Sequence, residues 1–145
     1  MSTIFTKIIE GQIPGNFVYN DDKSVVISTI APVQPGHMLV IPKEEYLSYT
    51  TCDQELIGHL AKVAQIIGQA QEKTFDIQRA GIIVAGFEVP HLHIHVIPLA
   101  NEKQLDLSLA KEDTPENIKL SAEKLRETLV QMGYEQFVPT NINKI

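Results

Sequence analysis

The apolar positions of this chain change period several times, and each change marks an element. Residues 3–10 are expected to form a short helix stopped by Gly11, followed by a turn at Pro14-Gly15. Phe17-Val18-Tyr19 reads as a strand and Asn20-Asp21-Asp22-Lys23 as a polar turn. Residues 24–30 read as a second strand rich in β-branched side chains. Residues 31–36 form a loop, and residues 37–41 a third strand that Pro42 stops. Asp53 is the expected N-cap of a long helix from 54 to about 73, with Leu56, Leu60, Val63, Ile67 and Ala70 as its buried stripe. Glu55, His59, Lys62 and Gln69 lie largely opposite, so His59 reads as a solvated helix residue. Residues 79–85 read as a fourth strand and residues 91–98 as a fifth. The link at 86–90 is short enough to make these two antiparallel neighbours. The polar stretch 101–113 reads as a surface loop. Thr114 caps a final helix with Pro115 at its first position. Ile118, Ala122, Leu125, Leu129 and Met132 form its buried stripe, and Gly133 stops it. Strands and helices do not strictly alternate and the strand connections are short. The pattern therefore predicts an α+β fold with an antiparallel sheet.

Composition narrows the picture further. A chain of 145 residues is expected to make one domain with a real core. Its net charge of −6 argues against a main role in binding nucleic acid, while leaving room for a small phosphorylated ligand held by local groups. Cys52 is the only cysteine, which excludes an internal disulfide and a thiolate-rich zinc site. The opening Met1-Ser2-Thr3-Ile4-Phe5 has no basic region leading into an apolar run, and no segment has the apolar length to span a membrane. A cytoplasmic location is expected.

Three of the five histidines fall in one run, His91-Leu92-His93-Ile94-His95-Val96-Ile97-Pro98. Alternate side chains of a strand share a face. The run is thus expected to line up three imidazoles on one side, with Leu92, Ile94 and Val96 packed on the other. Decoration of an exposed sheet face is a poor account of this, because protonated rings repel and buried rings each need a partner. A metal site is a second account, since three imidazoles can hold zinc and leave a fourth position for water. Cupin-like sites add a glutamate soon after His-x-His; here no carboxylate appears until Glu102, across Pro98. Nucleophilic catalysis is the third account. A neutral imidazole nitrogen attacks phosphorus and water then breaks the labile phosphorus–nitrogen bond, turning one difficult displacement into two easier ones. Neighbouring imidazoles can hydrogen-bond phosphoryl oxygens or protonate a leaving group. The attacking ring must be held in one tautomer by an acceptor such as a backbone carbonyl.

The run from His91 to Ile97 resembles the signature of the histidine-triad (HIT) family, His-φ-His-φ-His-φ-φ with φ apolar. Phe5-Thr6-Lys7-Ile8-Ile9-Glu10-Gly11-Gln12-Ile13-Pro14 is similar to the family's opening helix and turn. Pro35-Gly36-His37-Met38-Leu39-Val40-Ile41-Pro42-Lys43 resembles its PGH-x-LV-IPK strand, and Ala85-Gly86-Phe87-Glu88-Val89-Pro90 its AGQ approach to the triad. These motifs occur in order across residues 4–98, with 99–145 as a loop and helix of the same domain. The resemblance implies a HIT-like fold: a five-stranded antiparallel sheet with two main helices, the sheet continued across a homodimer. It implies a purine nucleotide or nucleotide conjugate as substrate, bound by its phosphate over the triad. It implies hydrolysis or transfer of a nucleoside monophosphate through a nucleotidyl-histidine intermediate, with no cofactor and neither nucleic acid nor membrane as partner. By motif position His93 is the nucleophile. His95 and His91 support it, with the His91 carbonyl a candidate to orient His93, and His37 matches the family histidine beside the cluster.

Several positions depart from the family pattern. Many members open with two cysteines that help bind a structural zinc. Here these are Thr3 and Thr6, with Glu45 where a histidine often follows, so no structural zinc is expected. Thr29 stands where many members hold the ribose with an acidic residue. Ile27, two residues earlier on the same strand face, is a candidate for the base pocket; Ile30, Leu39 and Ile41 read as pocket or core. An amide that reaches the phosphate or leaving group corresponds to Ala80, and the glutamine of AGQ is Phe87, which reads as core. Glu88, where several members carry a substrate-contacting Ser or Thr, is a candidate contact that also reads as simply exposed. The expected function is a HIT-type nucleotide phosphoramidase or hydrolase, or a nucleotidyl transferase. It would act on the α-phosphate of nucleoside phosphoramidates, adenylated small molecules or dinucleoside polyphosphates. A nucleotide-binding sensor with little catalysis, motivated by Ala80 and Phe87, is one alternative; a metal-dependent hydrolase is the other.

Overall fold

Residues 2–145 are described by the structure, a computed structural model. Along the chain run helix α1 (Ile4–Ile9), strands β1 (Phe17–Asn20), β2 (Ser24–Ser28) and β3 (Met38–Pro42), and helix α2 (Gln54–Thr74). Strands β4 (Arg79–Ile83) and β5 (Ile94–Leu99) and helix α3 (Pro115–Gln131) follow. The strands form one sheet in the order β1-β2-β3-β5-β4, with every neighbouring pair antiparallel. This is the α+β antiparallel architecture that the short connections predict.

Side-chain caps start all three helices. Thr3, Asp53 and Thr114 accept from the backbone N–H groups of Thr6, Leu56 and Asn117. With six residues, α1 is too short to hold itself in water. Burial of Phe5 and Ile8 holds it instead, at about 1.5–3 kcal/mol for each side chain.

Register partners share a face of the sheet. Phe17, Ile27, Leu39, His95 and Ile83 are successive partners from β1 to β4, so His95 faces the same way as Ile27 and Leu39. On this face α1 closes a small core of Phe5, Ile8, Phe17, Val25, Ile27, Leu39 and Ile41. The opposite face, with Val26, Val40, Ile94 and Val96, packs under the stripes of α2 and α3 in the larger core. The histidine chemistry therefore sits on the thinly covered side of the sheet, and the bulk of the core lies behind it.

All five strands differ in extent from the sequence pattern. β1 runs on to Asn20, paired with Val25, and β3 spans Met38–Pro42 rather than 37–41, because Pro42 at the strand end still pairs with Ser24 instead of stopping the strand. β2 stops at Ser28 rather than 30, because the chain then leaves the sheet to pair with the loop before α3. Asp113 N–H donates to the Ile30 carbonyl and Lys111 N–H to that of Pro32, both at 3.3 Å. Ile30 is consequently 68% exposed, neither core nor pocket wall. β4 ends at Ile83 rather than 85, and its last residue pairs with His95. β5 begins at Ile94 rather than 91, where its pairing with β3 starts at Val40; its pairing with β4 starts one residue later, at His95. The stretch 101–113 contains two single-turn 3-10 helices, Glu102–Gln104 and Leu107–Leu109, capped by Asn101 and Asp106. His59 is not merely solvated: its Nε2 lies 2.8 Å from Asp21 Oδ2, tying α2 to the β1–β2 turn.

The two ends of the sheet differ. Along the outer edge of β1 lies the segment 138–143. Phe17 N–H donates to the Ile142 carbonyl at 2.7 Å and Gly15 N–H to that of Asn143 at 3.2 Å. From α3, the Arg126 guanidinium donates to the carbonyls of Phe17 and Pro139, and Phe137 stacks on Tyr19 with centroids 5.1 Å apart. At the other end β4 has no outer strand partner among the described residues; Ala80 N–H donates to the Glu72 carboxylate at 3.0 Å, and Ile82 is 53% exposed. Among those residues no helix is long and apolar enough to cross a membrane.

Candidate active site

His91 and His93 precede β5, so strand pairing does not place them. Backbone bonds do: His91 N–H donates to the Val89 carbonyl at 2.8 Å and Leu92 N–H to that of Tyr46 at 2.7 Å. Regular strand structure begins only at Ile94, yet the expected alternation holds: His91 and His93 both meet Phe5 and His93 meets His95, while Leu92, Ile94 and Val96 lie in the larger core behind. The His91 ring is fully buried. Its Nε2 lies 2.8 Å from the Pro42 carbonyl and its Nδ1 2.8 Å from Thr3 Oγ1. A carbonyl can only accept, so in the neutral ring Nε2 carries the proton and Nδ1 accepts from the threonine hydroxyl.

His93 Nδ1 lies 2.7 Å from the His91 carbonyl, again an obligate acceptor. The proton is therefore on Nδ1, and Nε2 keeps its lone pair for attack. The His93 ring packs edge-on against Phe5, with centroids 5.0 Å apart, and against His95 at the same separation. Burial pushes the His93 pKa below the ordinary histidine value, partly opposed by the bond to the His91 carbonyl and by the Glu88 carboxylate.

His95 and His37 form a second directional pair. The Val33 backbone N–H donates to His37 Nδ1 at 3.0 Å, which leaves the His37 proton on Nε2. That nitrogen lies 2.9 Å from His95 Nδ1, so it donates there, and His95 carries its own proton on Nε2. Burial, with each ring's neighbouring histidine adding to it, lowers His37 to about 3 and His95 to about 4. Near neutral pH His37, His93 and His95 are uncharged: His93 offers a lone pair and His95 a donor, their rings in contact.

Gln71 on α2 was not singled out by the sequence pattern. It is fully buried, and its Nε2 donates to the carbonyls of Gly36 (2.9 Å) and Val96 (2.8 Å), the neighbours of His37 and His95. Its Oε1 has no partner. The signal was present, because Gln71 follows Ile67 by four residues and so extends the apolar stripe with a polar side chain. Beside it Gly36 adopts φ +89, and a Cβ there would lie 2.2 Å from the Phe75 ring. Only glycine fits this turn into His37.

The candidate substrate contacts are spread around the cluster. Ile27 lies in the small core on the face of His95, 3% exposed. Thr29 donates its backbone N–H to the His37 carbonyl at 3.3 Å, and its hydroxyl oxygen accepts from Ala31 N–H. Glu88 is exposed in the loop before His91. Phe87 is 95% exposed, which overturns its reading as core: its loop has nothing packed above it. Ala80 sits behind the sheet, its Cβ 3.3 Å from where a Cβ would stand on Gly68 of α2. It cannot supply a contact on the triad side, where the β4 position is Ile83.

Thr3, Thr6 and Glu45 do come together, and His91 joins them. Thr6 Oγ1 donates to Glu45 Oε1, and Thr3 N–H donates to the same oxygen at 3.0 Å. This set does not suit zinc. Two neutral hydroxyls replace thiolates, and the carboxylate oxygen already accepts two hydrogen bonds. Among the described residues no group of three or more His, Cys, Asp or Glu is arranged to hold a metal ion.

Comparison with known proteins gives the chain's family and fold. The family model described as HIT domain matches residues 10–102. An uncharacterized HIT-like protein of Borreliella burgdorferi is 32% identical over 137 residues, covering 90% of this chain and 95% of that protein. One from Methanocaldococcus jannaschii is 37% identical over 99 residues, 66% of this chain and 77% of that protein. Among solved structures, a zinc-bound histidine triad family protein from Mycobacterium smegmatis superimposes with a TM-score of 0.80 at 29% identity, covering 93% of this chain and 98% of that one. A hypothetical histidine triad nucleotide-binding protein from Sulfolobus tokodaii gives a TM-score of 0.78 at 28% identity, covering 89% and 93%.

Proposed function

The chain belongs to the HIT domain family, and from that premise we propose that it is a nucleotide hydrolase or nucleotidyl transferase with His93 as nucleophile. The observation that carries this is the 2.7 Å contact of His93 Nδ1 with the His91 carbonyl, which leaves Nε2 free to attack. Nε2 forms a bond to the α-phosphorus of a nucleoside phosphoramidate, an adenylated small molecule or a dinucleoside polyphosphate as the bond to the leaving group breaks. The leaving group takes its proton from solvent. The His95 Nε2 proton donates to a phosphoryl oxygen, where negative charge builds up. Water then attacks phosphorus, the phosphorus–nitrogen bond breaks, and the nucleoside monophosphate leaves as water's proton returns to solvent. An acceptor other than water makes the same step a transfer. Ile27 and Thr29 serve the base and ribose, and Glu88 the leaving-group side. The family likeness, including that to a hypothetical histidine triad nucleotide-binding protein of Sulfolobus tokodaii, supports a nucleotide or conjugate as substrate, and the proposal takes it to be a purine nucleotide. No cofactor or structural zinc is part of this reading. A homodimer pairing along the open edge of β4 and a cytoplasmic location are.

The test is an acid-free quench of the protein with a nucleoside 5′-phosphoramidate, followed by peptide mass spectrometry. A nucleotidyl group on His93 and release of the nucleoside monophosphate are expected. Turnover in His93→Ala equal to wild type overturns the reading. Nucleotide binding with no product across the three substrate classes favours a sensor instead, a reading that Ala80 motivates because it cannot contact a leaving group.

A further inference from the structure

We propose that Thr3 is a positioning residue for the nucleophile, acting through His91, and that the Thr3–Thr6–Glu45 hydrogen-bond network fixes its orientation. The proposal deepens the reaction assigned to His93 and rests on that reading for its kinetic part.

The residues concerned come from three distant parts of the chain: the cap of α1, the end of β3 with the loop after it, and the approach to β5. Thr3 Oγ1 accepts from Thr6 N–H at 3.2 Å, as a helix cap does, and stands 2.8 Å from His91 Nδ1. A hydroxyl has one proton to give. The Pro42 carbonyl holds the ring proton on Nε2 at 2.8 Å, so the Thr3 proton goes to Nδ1. Glu45 removes the competing arrangements. Its Oε1 accepts both the Thr6 hydroxyl and the Thr3 backbone N–H, anchoring the cap residue from behind. The Thr3 and Thr6 hydroxyl oxygens are 3.4 Å apart, a much poorer pairing.

The buried His91 ring thus has a defined partner at each nitrogen, and Phe5 closes one side edge-on with centroids 5.7 Å apart. Fixing the ring fixes its residue. The carbonyl of that residue is the group 2.7 Å from His93 Nδ1 that keeps the nucleophile in its reactive tautomer. Hydrogen bonds therefore do here, with hydroxyls and a carboxylate, what the donor set cannot do with a zinc ion: they hold α1 and the loop after β3 against the first histidine of the run. Outer groups that orient a metal-bound histidine typically change affinity or activity by about 10–100-fold when removed, and an effect of the same order is expected for a group that orients the nucleophile.

The test uses the whole protein and two readouts, ¹⁵N NMR of the histidine rings without substrate and steady-state turnover of a nucleoside phosphoramidate. Wild type is expected to show His91 as the Nε2–H tautomer and His93 as the Nδ1–H tautomer. Thr3→Val removes the hydroxyl at nearly constant volume. It is expected to lower kcat about tenfold, to leave KM within about threefold, and to send the His91 ring into tautomer exchange. Thr3→Ser is expected to restore both readouts. Unchanged His91 resonances and kcat in Thr3→Val overturn the proposal, as does a Thr3→Ser variant that falls as far as Thr3→Val. If Thr3→Val fails to fold, Glu45→Ala on the exposed side of the network decides: a partial move in the same direction supports the proposal, and wild-type behaviour overturns it. The ring tautomers are read without turnover, so an inactive wild type would sink the proposed reaction and leave this arrangement to be judged on its own.

Discussion

His37 Nε2 lies 2.9 Å from His95 Nδ1, and the direction of that bond is set at its far end by the Val33 N–H. A backbone group that can only donate thereby decides, through the His37 ring, that His95 keeps its proton on Nε2. His37→Ala is expected to free the His95 tautomer and lower kcat by about tenfold or more, with a smaller change in KM. A double-mutant cycle with His95→Ala checks it. The two losses are expected to fall short of additive, because the residues act as one unit. Full additivity would mean that His37 does not act through His95.

His93→Ala is expected to lower kcat by about a thousandfold or more while leaving a folded protein, since the ring makes one hydrogen bond and edge contacts with Phe5 and His95. Single-turnover kinetics and circular dichroism separate loss of chemistry from loss of fold. Residual activity near wild type would assign the nucleophile elsewhere.

The buried histidines make stability depend on pH. His37 and His95 titrate at about 3 and about 4 in the folded protein, and His93 is also lowered. In the unfolded chain each titrates near about 6.5. Between those values the unfolded state binds more protons, so stability rises with pH. It is present in full above about 6.5 and is lost as pH falls through the folded values. Urea midpoints measured from pH 7 to pH 4 are expected to decline steadily, and less steeply in His37→Ala. A flat profile over that range would show that the rings are solvated.

Gln71→Leu keeps the volume and removes both donors. The carbonyls of Gly36 and Val96 lose the amide between them, at an expected cost of about 2–4 kcal/mol in urea unfolding. Because those carbonyls flank His37 and His95, kcat is expected to fall as well. A shift below about 1 kcal/mol would mean that other donors replace the amide.

Phe87→Ala is expected to leave the unfolding free energy within about 0.5 kcal/mol of wild type, because the ring is 95% exposed. A larger loss would place the ring in a packed environment.

How far the sequence was legible depended on the range of each interaction. The helices follow from local rules, and their caps at Thr3, Asp53 and Thr114 are where the side-chain chemistry puts them. Strand ends are less legible because a partner sets them: the pairing that starts β5 at Ile94 is with Val40 of β3, more than fifty residues away. The nucleophile's tautomer depends on a carbonyl two residues away and was anticipated from the motif. The Thr3–His91 bond spans 88 residues and could not be. Phe87 was misread because an aromatic residue is taken as core by default, whereas its exposure depends on what the fold leaves above its loop.

The segment lying along β1 bears on how large an assembly this protein can build. A sheet with two bare edges can add copies at both ends without limit, the geometry of a growing fibril. Here Ile142 and Asn143 have taken the backbone donors of Phe17 and Gly15, so one end is sealed by the chain's own residues. A second copy meeting the first along β4 uses the same edge on both molecules and leaves only sealed ends outward. In the proposed dimer edge-to-edge association would then terminate at two, with the strap that closes β1 as the end-stop against polymerisation.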